Sequence, residues 1–263
     1  MARQKRQVAR YGWIPDLPDH RDLAFSAPRA ILRKLPPSVD LSSKCPPVYD
    51  QGELGSCTAN AIGGAIEFDQ IKQKLREFMP SRLFIYYNER VVEHTVNEDS
   101  GAMIRDGIKS VAKQGVCPET TWPYDPSPFP PNPLLTRKPT SACYREALKH
   151  TAVQYQRVSR SLSQMKGCLA SGYPFVLGFT VYGSFESDVV ARTGEMPMPG
   201  PRESVVGGHA VLAIGYDDGK QRFRVRNSWG TNWGVKGNFT MPYAYLLDES
   251  LSDDFWQVTL IKG

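Results

Sequence analysis

Between Pro118 and Pro139 the chain carries eight prolines and almost no hydrophobic periodicity, and this stretch limits the possible folds more than any other. Proline removes a backbone donor and fixes φ, so neither a helix interior nor a central strand can run through such a segment. It reads as a surface crossover between two halves of different character.

Upstream of it, Ala61, Ile62, Ala65, Ile66, Ile71, Leu75 and Phe78 recur at helical spacing with Lys and Arg between them. The spacing predicts a long, partly buried helix from Cys57 to Phe78. Ser56 is the expected N-cap, which puts Cys57 in the first turn, where free amides and the helix dipole favour an anion. The internal Gly63-Gly64 pair costs up to about 1 kcal/mol per glycine in helix propensity, which predicts close approach by another backbone. Ile104, Ile108, Val111 and Ala112 predict a second helix, ended by Gly115.

Downstream, Ser161 to Gly172 reads as one helix, and Phe175–Tyr182, Ala210–Tyr216 and Arg222–Asn227 read as strands. Asp217-Asp218-Gly219 is a turn signal, so the last two runs are expected to form an antiparallel hairpin. Side chains alternate along a strand, so Phe223, Val225 and Asn227 share one face and Arg222, Arg224 and Arg226 the other. Asn227 therefore points where the apolar residues point. No internal repeat is found, and an α+β fold of two lobes follows.

Charge and composition exclude several classes. The 263 residues carry a net +5, all of it in residues 1–34, with eight Lys or Arg against three Asp. A nucleic-acid surface would continue onto a folded face with interleaved aromatics, whereas this one stops at Lys34, so a solvated basic arm is expected and no nucleic-acid partner. The longest apolar stretches, such as Ala210 to Ile214, fall far short of the roughly 20 residues that cross a bilayer. No signal peptide is visible, which makes a cytoplasmic location the default expectation. Cys45, Cys57, Cys117, Cys143 and Cys168 are odd in number and show no CxxC pair, and His20, His94, His150 and His209 form no ligand cluster with them. At least one thiol is then free, and neither a metal site nor a cofactor is expected.

Three stretches carry chemistry. Gln51-Gly52-Glu53-Leu54-Gly55-Ser56-Cys57 puts a thiol at a helix start, Gly207-Gly208-His209-Ala210-Val211 puts an imidazole at the start of a strand, and Asn227-Ser228-Trp229-Gly230 ends the next strand with an amide and an indole. Singly, each is more often structural: a small buried thiol, a core imidazole, a turn-capping amide. Together, in this order, they resemble the papain family of cysteine peptidases. Leu35-Pro36-Pro37-Ser38-Val39-Asp40, Gln114-Gly115-Val116, Trp122-Pro123-Tyr124 and the run Asn227-Ser228-Trp229-Gly230-Thr231-Asn232-Trp233-Gly234 extend the likeness from about residue 35 to the end. The pattern is similar to that of bacterial papain-like peptidases of the xylellain type.

The resemblance implies a papain-like fold, with a mainly helical lobe at about 41–135 and a mainly β lobe at about 136–263 around a cleft, preceded by an extension at 1–36. It implies an endopeptidase in which Cys57 is the nucleophile, His209 the base and later acid, Asn227 the orienter, Gln51 an oxyanion donor and Trp229 the shield over the orienting bond. An ordinary thiol, with a pKa of about 8.5, is mostly protonated at pH 7, and an adjacent imidazolium corrects this. A helix terminus contributes only about 0.3–1 kcal/mol, so His209 must supply most of the activation. Gly101, Ala102, Met103 and Gly208 would hold the substrate backbone and border its main pocket. Peptide or protein substrates are the implied partners, with a proteinaceous cysteine-protease inhibitor as another; the oligomeric state is left open.

Two departures stand out. Leu54 and Thr58 occupy positions where the family usually has a cysteine and an aromatic, so the usual disulfide from the first position cannot form. Residues 1–36 are too short for the usual helical propeptide and are expected to be a short pro-segment across the cleft, anchored by Trp13, Ile14, Leu17, Leu23 and Phe25. The competing readings are a papain-like acyltransferase or deamidase, and a non-catalytic binding protein that uses the basic arm.

Overall fold

The computed structural model describes residues 11–151 and 153–260. Residues 1–10, which hold the first basic residues of the arm, lie outside that description, and so does its expected solvation there. From Tyr11 on, the expectation of a solvated arm fails: the chain forms a strap across the protein, burying Trp13 and Ala27 and exposing Leu17 and Leu23. Leu17 and Leu23 are therefore not anchors.

The sheet is built from the downstream half. Strands β1 (Trp13–Ile14) and β3 (Ala102–Met103) form a small parallel pair. The main sheet joins β2 (Ser38–Asp40), β4 (Val153–Arg157), β5 (Phe175–Tyr182), β6 (Val205–Asp217), β7 (Arg222–Arg226), β8 (Asn238–Pro242) and β9 (Ser252–Leu260). Its order is β4-β9-β5-β6-β7-β8, with β2 pairing β6. The expected hairpin is β6–β7, with Tyr216 opposite Phe223. Phe223, Val225 and Asn227 are all buried, as alternation required. β6 begins at Val205, so His209 sits within the strand rather than at its start.

The helix from Cys57 ends at Gln73, not Phe78. Lys74 adopts the left-handed conformation (φ 56°), and the Leu75 amide closes back on the Gln70 carbonyl at 3.0 Å. Every residue from Cys57 to Gln70 is buried, which makes this the central helix. Burial of a side chain such as Ile62, Ile66 or Phe68 contributes roughly 1.5–3 kcal/mol each. The Gly63-Gly64 pair is not explained by a close backbone: a Cβ there would meet Tyr49 and Leu212 side-chain atoms at ordinary distances of 3.6 and 3.7 Å. The helix Ile104–Gln114 ends at Gly115 as expected, and Leu162–Ala170 fills the expected helix after the crossover.

A further helix, Arg82–Val92, has no counterpart in the sequence reading. Its residues Arg82 to Arg90 are all buried, so its polar Arg82, Asn88, Glu89 and Arg90 do not mark a solvent face. The proline-rich crossover is not wholly at the surface either, since Trp122, Asn132 and Leu135 are buried. All five cysteines are free thiols. No described helix is long and apolar enough to cross a membrane.

Candidate active site

The central helix and β6 bring the candidate residues to one place. Cys57 opens the helix, fully buried, with the backbone amides of Ala210, Gly12 and its own neighbour Thr58 directed at the sulfur. Ser56 does not cap through its side chain; its hydroxyl is 2.6 Å from the Tyr124 hydroxyl and accepts from Asn60 Nδ2 at 3.1 Å. The first turn is held by this side-chain network instead.

His209 Nε2 lies 2.8 Å from Asn227 Oδ1, which also accepts from the Ser228 amide at 2.9 Å. A carboxamide oxygen only accepts, so Nε2 carries the proton and Nδ1 the lone pair. Among the described residues Nδ1 has no hydrogen-bond partner. The Trp229 indole stacks on the imidazole at 5.0 Å and 25°. Phe185 is wedged 5.5 Å from both Trp229 and Trp233, which fixes the indole in turn.

Gln51 is fully buried. Its Oε1 accepts from the Ser228 hydroxyl at 2.7 Å and its Nε2 donates to the Leu54 carbonyl at 2.8 Å, which leaves one amide hydrogen unassigned. Arg82 braces the loop before it, donating to the Asp50 carbonyl at 2.9 Å and pairing with Glu119.

The four expected substrate-contacting positions converge on the strap. The Ala102 amide donates to the Gly12 carbonyl at 2.7 Å, and Ile14 pairs with Met103. A Cβ on Gly208 would come within 2.5 Å of the Trp13 carbonyl, and one on Gly178 within 2.0 Å of the Trp13 ring. Gly101 departs from its expected part: its amide is used by the Tyr86 hydroxyl at 3.0 Å, so Ala102 alone presents an amide to the strap. Gly101, at φ 78°, contributes the space in which Gly12 lies. The fit is closest at Gly12, where a Cβ would stand 1.6 Å from the Gly55 carbonyl oxygen. Tyr11 continues the strap over the imidazole, ring centroids 5.8 Å apart, with its hydroxyl on Glu186.

With the cleft so filled, the expected thiolate–imidazolium pair is not the favoured state. Burial pushes the Cys57 thiol up to about 12, against the pull of the Ala210 and Gly12 amides. Burial likewise pushes His209 down to about 4, against its bond to Asn227. Separated charge needs water or fixed dipoles around it, and both groups are fully buried. Thiol and neutral imidazole result.

Three groups in the site have roles that the sequence does not assign. The Asp99 carboxylate holds the Gly55 amide at 3.0 Å and the Tyr86 hydroxyl at 2.6 Å, tying the nucleophile loop to the Gly101 edge. Thr58, in the usual aromatic position, donates to the fully buried Glu89 at 2.8 Å. Desolvation raises the Glu89 carboxyl well above its ordinary value. Ser228 orients Gln51. Thr58 and Ser228 lie in stretches that the sequence marks, but nothing local points to their partners.

Residues 35–246 match the model of the papain family of cysteine proteases. The chain is 42% identical, over 94% of its length and 85% of the other, to an uncharacterized peptidase C1-like protein of Acanthamoeba polyphaga mimivirus. It is 30% identical to cathepsin B-like CP3 of Giardia intestinalis over 74% of this chain, and spans 63% of that protein's length. Among solved structures, xylellain, a cysteine protease from Xylella fastidiosa, superposes with a TM-score of 0.91 at 47% identity, covering 100% of both chains. Procathepsin L2 of Tenebrio molitor shares the fold at 19% identity, with a TM-score of 0.72 over 99% of this chain and 81% of that one. A thiol at a helix start, an imidazole whose proton is fixed by an asparagine, and matches of this extent lead to one conclusion: the chain belongs to the papain family of cysteine proteases.

Proposed function

We propose that this protease is an endopeptidase that works through Cys57 and His209 and is restrained by its own N-terminal strap. The observation that carries the mechanism is the Nε2–Asn227 bond, which leaves the Nδ1 lone pair of His209 as the only basic site on the ring. Once the strap leaves, water returns to the pair and the imidazole takes the thiol proton, the amides at the helix start favouring the thiolate. The sulfur then attacks a peptide carbonyl. The Cys57 amide and the free hydrogen of Gln51 Nε2 serve the oxyanion, each such donor being worth about 2.7–4 kcal/mol. His209 returns its proton to the leaving amine, and the thioester is hydrolysed by water with the same imidazole as base.

The restraint is supported by what the strap touches: Ala102, Met103 and Gly208, the positions expected to hold substrate, together with the sulfur itself through the Gly12 amide. A peptide cannot occupy the same space. The test is Gly12→Val in the full-length protein, because the added side chain cannot fit against the Gly55 carbonyl. Turnover of a peptide library should rise about tenfold or more and vanish again in the double variant with Cys57→Ala. Unchanged turnover in the Gly12→Val protein would remove the restraint, and turnover surviving Cys57→Ala would remove the mechanism.

A further inference from the structure

Beyond the cleft, the strap enters a buried cluster of charges. Asp16 and Asp22 of the strap and Asp254 of β9 have side chains 0%, 6% and 2% exposed. Among the described residues, two guanidiniums serve these three carboxylates. Arg157 of β4 reaches Asp16 at 3.1 Å, Asp254 at 3.3 Å and Asp22 at 3.5 Å, and Arg105 reaches Asp22 at 3.2 Å. The flanking charges are engaged elsewhere: Asp253 with Arg160 at 3.2 Å, and Asp19 with Lys109 at 3.3 Å and Arg21 at 2.9 Å. Asp253 also comes within 3.9 Å of Arg157, and Asp106 adds a further negative charge beside Arg105. Fully ionised, the buried cluster would hold one carboxylate too many, and burying an uncompensated charge is expensive.

The surplus falls on Asp16 and Asp254, which are joined directly: the Asp16 amide donates to Asp254 Oδ2 at 2.8 Å, and Trp13 Nε1 donates to the same oxygen at 3.0 Å. Asp16 in turn accepts from Trp256 Nε1 at 2.8 Å and from the Arg105 amide at 3.0 Å. We propose that this cluster is a proton-dependent latch, in which docking of the strap takes up one proton shared between Asp16 and Asp254. The cleft is then held shut at mildly acidic pH and released as the pH rises towards neutral. This rests on the strap being the restraint, and adds what controls it.

The direction follows from linkage. Burial first, then the Asp254 charge, push Asp16 from its ordinary 3.8 up to about 7 in the docked strap, against the Arg105 amide, Trp256 and Arg157; burial raises Asp254 as well. A released strap returns Asp16 to water and leaves Asp254 with Arg157 to itself. The proton's contribution to docking is therefore complete below about pH 4, fades as the pH climbs, and is gone above about 7.

The test is hydrogen exchange at the Ala102 amide, which the strap protects through Gly12, in the full-length protein and corrected for the intrinsic pH dependence of exchange. The opening equilibrium should grow about tenfold or more between pH 5 and pH 7, one proton allowing at most about tenfold per pH unit, and then level off. Asp16→Asn and Asp254→Asn, which supply a neutral partner in advance, should each flatten that slope and keep Ala102 protected at pH 8. A wild-type slope of zero or of opposite sign, or a slope unchanged in both variants, would overturn the latch. The restraint itself is tested separately by Gly12→Val: if that change exposes Ala102 to exchange without raising turnover, the restraint fails, whatever the pH dependence.

Discussion

The two ends of the strap are held by different physics. Residues 11–14 lie mainly on backbone and rings, with a glycine fitted against Gly55, an amide hydrogen bond from Ala102 and an indole laid on Gly178, while Tyr11 and Trp13 also donate to Glu186 and Asp254. Residues 16–22 are held by charge, through Arg105 and Arg157. Shape at the first end decides what is covered, and charge at the second decides under what conditions. A close-fitting contact of neutral groups has no pH dependence of its own, whereas a buried surplus carboxylate must have one.

The largest expected effect breaks the first end and shows what lies under it. In the Gly12→Val protein, adding His209→Ala should lower peptide turnover by about 10²–10⁴, the usual range for loss of a general base. Smaller, at about tenfold, is the gain in turnover from Gly12→Val alone. At the second end, Arg157→Ala takes the guanidinium from three buried carboxylates. Losing one partner of a buried pair typically costs about 3–5 kcal/mol, and urea unfolding should read a loss near about 3 because Arg157 is partly exposed. The smaller loss of stability lies outside the comparison and sharpens it: Thr58→Val removes the hydrogen bond that Glu89 accepts from Thr58, at a cost of about 1–3 kcal/mol in the same assay and with no change in the pH slope of strap opening.

What was legible in the sequence was local or periodic. Alternation put Asn227, the residue just after β7, on its buried side, the Asp-Asp-Gly turn marked the hairpin, and Gly115 marked a helix end. The likeness carried by Cys57, His209 and Asn227 supplied the family. What escaped depends on partners far away in the chain. Asp16 and Asp254 meet across 238 residues, and no short-range pattern announces a carboxylate that lacks a counter-ion. Arg82–Val92 buries its polar residues along with its apolar ones, Ser56 prefers Tyr124 to its own helix, and Leu17 and Leu23 face solvent while Trp13, expected as an anchor beside them, is buried. The Gly63-Gly64 pair has no structural explanation in its surroundings.

The account centres on a thiol that is silent under the strap and activated without it. With the thiol at about 12, only about 10⁻⁵ of Cys57 is thiolate at pH 7 while the cleft is closed. The most direct measurement is the rate of Cys57 alkylation by iodoacetamide at pH 6, mapped to the residue, in the full-length protein, in Gly12→Val, and in Gly12→Val with His209→Ala. Slow labelling in the first, fast labelling in the second and slow labelling again in the third is the expected result. Equal rates in the first two, or fast labelling that survives the loss of His209, would contradict it.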